Sequence, residues 1–178
     1  MGQPKEWLPI DGQAMLVRVV QRVAAAAGPV VVAARPGQSL PELPPGVLIV
    51  GDETPDHGPL AGLIAGLAAL TGRCEAAFVT GCDHPWLAPA FIHALHGRLG
   101  DHDAVALMAD GRPMPLPAVY RLSVVPAARE LLSQGQLRLG GLLAACRANL
   151  LRPEDLPPDV DVRASLANVN RPADLDVR

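Results

Sequence analysis

Aromatic residues make up only 3% of this 178-residue chain. Leucine, valine and alanine must therefore fill the core. Cationic excess is missing too. The net charge of −3 argues against general binding to nucleic acid or to an anionic membrane, both of which are driven by positive surface. No apolar run is long enough to cross a bilayer, and no secretory pattern opens the chain. Cysteine is limited to Cys74, Cys82 and Cys146. They are odd in number, widely spaced and without a CxxC pair, so neither a disulfide framework nor a zinc site is indicated. Reduced thiols in a cytoplasmic protein are the expectation. Two further scarcities are informative. Lys5 is the only lysine among 15 lysines and arginines, and asparagine occurs only at 149, 168 and 170.

What the chain does have is patterned apolar sequence. Hydrophobic residues are 49% and charged residues 19%, the composition of a globular protein. The length suits one domain over 1–178 with one hydrophobic core. Leu16, Val19, Val20, Val23 and Ala27 recur at helical spacing from Met15 to a stop at Gly28-Pro29. This helix is the first regular element expected. Val30 to Ala34 is a short continuous apolar run, which predicts a strand buried on both faces. Val47–Val50 predicts a second strand, and Pro59 opens a helix carrying Leu60, Leu63, Ile64, Leu67 and Leu70 on one face. Further strands are expected at Ala76–Thr80 and Asp103–Met108; Gly111-Arg112 reads as a turn after which Leu116–Tyr120 returns as a strand, and helices are expected at 92–99, 125–132 and 139–146. Strand and helix alternate. That pattern predicts an α/β fold with mostly parallel strands, right-handed crossovers and helices on both faces of the sheet.

Asp83 is the strongest candidate for chemistry. It follows an apolar strand, and ligands of open α/β sheets bind beyond the carboxyl ends of strands. Pro85 limits His84 to extended geometry. A fixed carboxylate there could hold Mg²⁺, a hard cation that takes oxygen ligands; the plainer reading is a cap for the next helix. Cys82 and His84 flank it, but no second pair completes a tetrahedral metal site. Lys5 is either a solvated surface lysine or a compact charge retained to neutralise phosphoryl oxygens. Asp52 follows the second strand and is either a site carboxylate or a turn aspartate. Asn168 and Asn170 are two apart, so in an extended segment both carboxamides face one side; alternatively Asn170 caps a helix near Pro172. Gly58-Pro59-Leu60 brings a helix N-terminus towards the same region. Gly62 and Gly66 suit close packing of that helix on the sheet.

Taken in order, these motifs resemble the molybdenum cofactor guanylyltransferases. The resemblance rests on Met1-Gly2 through Lys5, Leu8-Pro9, Gly12, Asp52, Gly58 to Gly62, Cys82-Asp83-His84-Pro85, Pro115-Leu116 with Tyr120, and Asn168-Val169-Asn170 with Pro172 and Asp174. It implies a Rossmann-like, three-layer α/β/α nucleotidyltransferase that moves GMP from GTP to molybdopterin and releases pyrophosphate. Lys5 and Asp83 would be catalytic, and Lys5, Asp52 and Asp83 would contact GTP. Asp83 would hold Mg²⁺, and Asn168 and Asn170 would meet the substrate. An apo-molybdoenzyme or its chaperone would be the further partner. The family's opening strand and glycine-rich loop have no counterpart here, so an N-terminally incomplete domain is the expectation. Ala33 replaces a nucleotide-contacting Asn, and Met114 a His. A cytidylyltransferase using CTP and a non-catalytic pterin- or partner-binding module are the rival readings.

Overall fold

The computed structural model describes residues 4–51, 58–171 and 174. Among them, a 3-10 turn at Lys5–Trp7 leads into a hairpin of β1 (Pro9–Ile10) and β2 (Gln13–Ala14). The hairpin turn is Asp11-Gly12, with φ of +49° and +79°. Two consecutive positive φ values define the type I′ turn, which favours this dipeptide. Regular structure therefore begins before Met15, contrary to the sequence expectation. Strands of two residues are too short to show a period.

Helix α1 (Met15–Ala24) follows, then β3 (Val31–Ala34), β4 (Leu48–Gly51), α2 (Gly58–Ala69), β5 (Ala76–Val79) and α3 (Pro89–His96). The chain continues through β6 (Ala104–Ala109), β7 (Arg112–Arg121), α4 (Val125–Ser133), α5 (Leu139–Ala145), β8 (Ala148–Leu151) and α6 (Val162–Leu166). β3 and β4 pair in parallel. The other sheet has the order β5-β7-β6-β8. Strands β5, β6 and β8 run one way and β7 runs against them. The mostly parallel α/β architecture holds; β7 is its antiparallel member, a return strand after the turn near Gly111 as expected, but longer than the expected 116–120. A tight turn at Asp110-Gly111, again with both φ values positive, sends β7 straight back along β6. β8 had no clear signature, since Asn149 interrupts its apolar run.

Alternation of side chains divides the four-stranded sheet between two cores. Ala104, Ala106, Ala118 and Tyr120 pack beneath α2, α4 and α5. Val105, Leu107 and Val119 face the other way, against α1, α3 and the segment around Leu156 and Val160. Helices therefore cover both faces, giving three layers. β3 departs from its expected burial. Val31 and Val32 are half-buried and Ala33 is exposed. The strand pairs with β4 on one edge, while a cleft of about 680 Å³ lies between it and β5, lined by Val31, Val32, Phe78 and Val79 among others. Gly62 does meet the sheet closely: a Cβ there would lie 3.8 Å from that of Ala33. Gly66 has open space around it, so packing does not explain that glycine.

A third, smaller cluster joins distant parts of the chain. Leu8, Ile10, Met15 and Val169 are buried together, with Trp86 against them. It ties the hairpin to the loop after β5 and to the C-terminal segment.

Candidate active site

Asp83 lies on the loop that leaves β5, four residues past Val79. It does not cap the next helix. The residue before α3 is Ala88, whose N–H donates to Ser165 Oγ at 3.2 Å. The Asp83 carboxylate instead turns back over its own loop. A Cβ at position 81 would sit 2.4 Å from Asp83 Oδ1, so glycine is required there for the carboxylate to keep this place. The backbone carbonyl of Asp83 accepts from Val169 N at 2.8 Å, which brings the C-terminal segment to the loop.

Two cations or potential cations face the carboxylate. His84 Nδ1 is 3.2 Å from Oδ1, and Lys5 Nζ is 3.6 Å from Oδ2. Thr80 Oγ1 is also 3.5 Å from His84 Nδ1. The nearer carboxylate is the natural acceptor if Nδ1 carries the proton. The hydrogen bond from His84 lowers the Asp83 pKa below the ordinary 3.8, against the opposing pull of burial; the charges of His84 and Lys5 lower it further. Burial pushes the neighbouring Cys82 thiol up, and the Asp83 charge adds to the effect. Asp83 is thus an anion at neutral pH beside a protonated thiol.

The other Lys5 contact is Asn170, whose Oδ1 accepts from Nζ. Three sequence candidates from the two ends and the middle of the chain are therefore brought together: Lys5, Asp83 and Asn170. Asn168 and Asn170 are exposed on either side of buried Val169, which matches the alternation expected of an extended segment. The helix near Pro172 that Asn170 would cap falls on positions outside the described residues. The N–H of Asn170 donates to Asp174 Oδ2 at 2.7 Å, and so does that of Arg171 at 2.8 Å; Asp174 is the acceptor. These two bonds depress the Asp174 pKa. Asp52 follows β4 and lies outside the described residues.

Gly81, Glu6 and Gln38 carried no clear sequence signal, and His84 entered only as a discounted metal ligand beside Asp83. Gly81 and His84 shape Asp83, as above. Glu6 and Gln38 hold the turn that carries Lys5. Gln38 Nε2 donates to Glu6 Oε1 at 2.6 Å, while its own Oε1 accepts from Arg35 N at 3.0 Å. Trp7 Nε1 adds a bond to Ser39 O at 3.1 Å. The turn bearing Lys5 is thereby fastened to the loop after β3. Gln38 also lines a second cavity of about 300 Å³ with Ala33, Ala34, Arg35, Gly58, Pro59 and Gly62. That cavity sits at the carboxyl end of β3 and the N-terminus of α2.

The donor chemistry suits Mg²⁺. The cluster offers oxygen from one ionised carboxylate and one carboxamide, and is open on the solvent side. No group of three or more His, Cys, Asp or Glu side chains gathers among the described residues, so a cage made wholly of protein ligands is absent there. A hard cation held by one carboxylate, with substrate phosphates and waters completing its shell, matches this set.

Comparison with known proteins bears on the family and the fold. Residues 1–149 match the family model described as the MobA-like NTP transferase domain. A probable molybdenum cofactor guanylyltransferase of Mycobacterium tuberculosis is 35% identical over 179 residues, covering 98% of this chain and 85% of its own length. Among solved structures, the molybdopterin-guanine dinucleotide biosynthesis protein A of Archaeoglobus fulgidus superposes with a TM-score of 0.77 at 21% identity, covering 99% of this chain and 89% of that one. A 2-C-methyl-D-erythritol 4-phosphate cytidylyltransferase of Thermus thermophilus gives 0.71 at 17% identity, covering 98% and 91%. At such identities these two likenesses establish the fold.

Proposed function

We propose a function from one premise: the chain belongs to the MobA-like, molybdenum cofactor guanylyltransferase family and is an enzyme of the nucleotidyltransferase class. That premise sets aside the non-catalytic binding module. Within the family, the reaction proposed is transfer of GMP from GTP to the phosphate of the molybdopterin-type cofactor, with release of pyrophosphate. The observation that carries this reading is the meeting of Lys5, Asp83 and Asn170, which are remote in sequence, at the end of β5.

In this reading the pterin phosphate attacks the α-phosphorus of GTP in line, and the bond to the bridging oxygen of the β-phosphate breaks. The nucleophile is already an anion, so no strong protein base is needed. Positioning and electrostatics supply the catalysis. Lys5 neutralises charge on the departing pyrophosphate. Asp83, kept ionised by His84, provides the carboxylate that would hold Mg²⁺, whose chemistry there is to offset phosphate charge. Asn170 orients Lys5, and with Asn168 presents carboxamides to the substrate. Asp52 is proposed as a GTP contact. The 300 Å³ cavity beside Gln38 and Ala33 offers room for the base. The reaction is proposed to take place in the cytoplasm, and an apo-molybdoenzyme or its chaperone is the proposed recipient of the product.

The direct test incubates the protein with molybdopterin cofactor, Mg²⁺ and equal GTP and CTP, and identifies the dinucleotide by mass spectrometry. A guanine product is expected. A cytosine product would replace the guanylyl reading with the cytidylyl one. Absence of any pyrophosphate release would defeat both.

A further inference from the structure

We infer that Arg18 is a positioning residue for the Asp83 loop, which it steadies by holding the carbonyl of Pro85. This rests on the reading of Asp83 as a group that serves nucleotidyl transfer. Arg18 lies on α1, and its side chain is 16% exposed. Its Nε donates to Pro85 O at 3.0 Å. Its Nη1 is 3.0 Å from Asp11 Oδ2. One guanidinium therefore spans the gap between the hairpin turn and the loop that carries Asp83, 65 residues further on.

Both ends of this strut are anchored. Asp11 sits in the two-residue turn between β1 and β2, whose flanking Leu8 and Ile10 are buried with Met15 and Val169. At the other end, Pro85 has no N–H with which its loop could fasten itself. The loop's own backbone bond is from Leu87 N–H to His84 O at 3.4 Å, and the carbonyls on either side of His84 reach outside it. Asp83 O accepts from Val169 N and Pro85 O accepts from Arg18, so the backbone on each side of His84 is gripped from a different direction. His84 is the residue that engages Asp83 Oδ1. Releasing Pro85 O frees one side of that arrangement.

The planar fork is essential to the argument. A guanidinium donates along two fixed directions at once, whereas an ammonium is a single compact charge. Lysine at position 18 could retain the attraction to Asp11 but could not also hold Pro85 O in the same geometry. Arg22, one turn along α1 and exposed, is the internal control.

The test uses the full chain with Arg18→Lys, Arg18→Ala and Arg22→Ala, and with Asp83→Asn as reference. kcat and nucleotide KM are measured separately, Mn²⁺ binding is followed by electron paramagnetic resonance, and thermal melting reports the fold. Arg18→Lys is expected to melt close to wild type, to lose about tenfold in kcat from misplacement of the carboxylate with KM little changed, and to bind Mn²⁺ more weakly. Arg18→Ala should lose more, and Arg22→Ala nothing. If Arg18→Ala does not fold, Arg18→Lys decides. Wild-type kcat and Mn²⁺ binding in Arg18→Lys would overturn the inference, as would an equal loss in Arg22→Ala or a loss confined to KM. If Asp83→Asn itself turns over normally, the functional reading falls and this inference with it. If Asp83→Asn is inactive while Arg18→Lys is normal, only the role of Arg18 falls.

Discussion

The four-stranded sheet and the β3–β4 pair have similar composition but quite different surroundings. Ala104, Val105, Ala106, Leu107, Ala118, Val119 and Tyr120 are inaccessible to solvent, and helices lie on both of their faces. In the pair, Ile49 is 58% exposed and Ala33 is open to solvent. Both sets of strands are rich in Val, Ile, Leu and Ala, so hydrophobicity alone does not distinguish them. The difference lies in neighbours. β6 and β7 each have strands or helices on every side, while β3 has a strand on one edge and a cleft on the other. Stability should therefore reside in the larger sheet. The candidate site draws on both regions, with the turn bearing Lys5 fastened to the loop after β3 through Glu6 and Trp7, and Asp83 following β5.

Substitutions that separate packing from chemistry sharpen this contrast. Leu107→Ala should destabilise the protein by about 3 kcal/mol, the usual cost of emptying a fully buried leucine site. Val32→Ala in β3 should cost less than about 1 kcal/mol, because its side chain is only partly removed from water. Urea denaturation of both variants measures the gap; equal costs would mean the two regions share one core. The next effect is on chemistry. Asp83→Asn should lower turnover on the order of 100-fold, the scale for loss of a preorganised electrostatic group, with the urea midpoint nearly unmoved. A large fall in midpoint would place Asp83 among the structural residues instead. Smaller again, Lys5→Arg should lose about tenfold in kcat/KM, close to the loss in Lys5→Ala, because a planar fork does not reproduce a compact charge. Full activity with arginine would reduce the lone lysine to a feature of composition.

The larger elements were legible in the sequence because helical spacing in α1 and α2, and apolar runs in β3 to β6, are local signals. Exposure of β3 was not legible. A continuous apolar run implies burial only when both edges and both faces find partners, and that is a property of the tertiary structure. The β1–β2 hairpin was missed although Asp11-Gly12 is a turn signature, since two-residue strands carry no period. At the site, Asp83 and Lys5 could be picked out by position and scarcity. Their supports could not. Gln38 reaches Glu6 across 32 residues and Arg18 reaches Pro85 across 67, and nothing in the intervening sequence marks either pairing. Gly81 owes its identity to the fold of the Asp83 side chain over it.

The smallest effect expected is on the pH dependence of stability, and it tests the same contrast from another side. The Asp83 pKa is lowered in the folded protein from an ordinary 3.8, first through its bond with His84. A depressed carboxylate contributes stability at pH values above its unfolded pKa. That contribution fades as pH falls below 3.8 towards the folded value, because the unfolded chain then binds the proton more readily. Wild type and Asp83→Asn should thus differ in unfolding free energy by a constant amount from pH 7 to about pH 5 on this linkage. Below pH 3.8 the ionic part of that difference should shrink. Leu107→Ala provides the control. The buried cluster around Leu107 consists of apolar side chains, so its penalty should hold steady across the whole range. Parallel urea titrations at pH 7, 5 and 3 compare the three proteins. If the advantage of wild type over Asp83→Asn already declines between pH 7 and pH 5, the Asp83 carboxylate is not depressed, and His84 does not hold it in the way its geometry indicates.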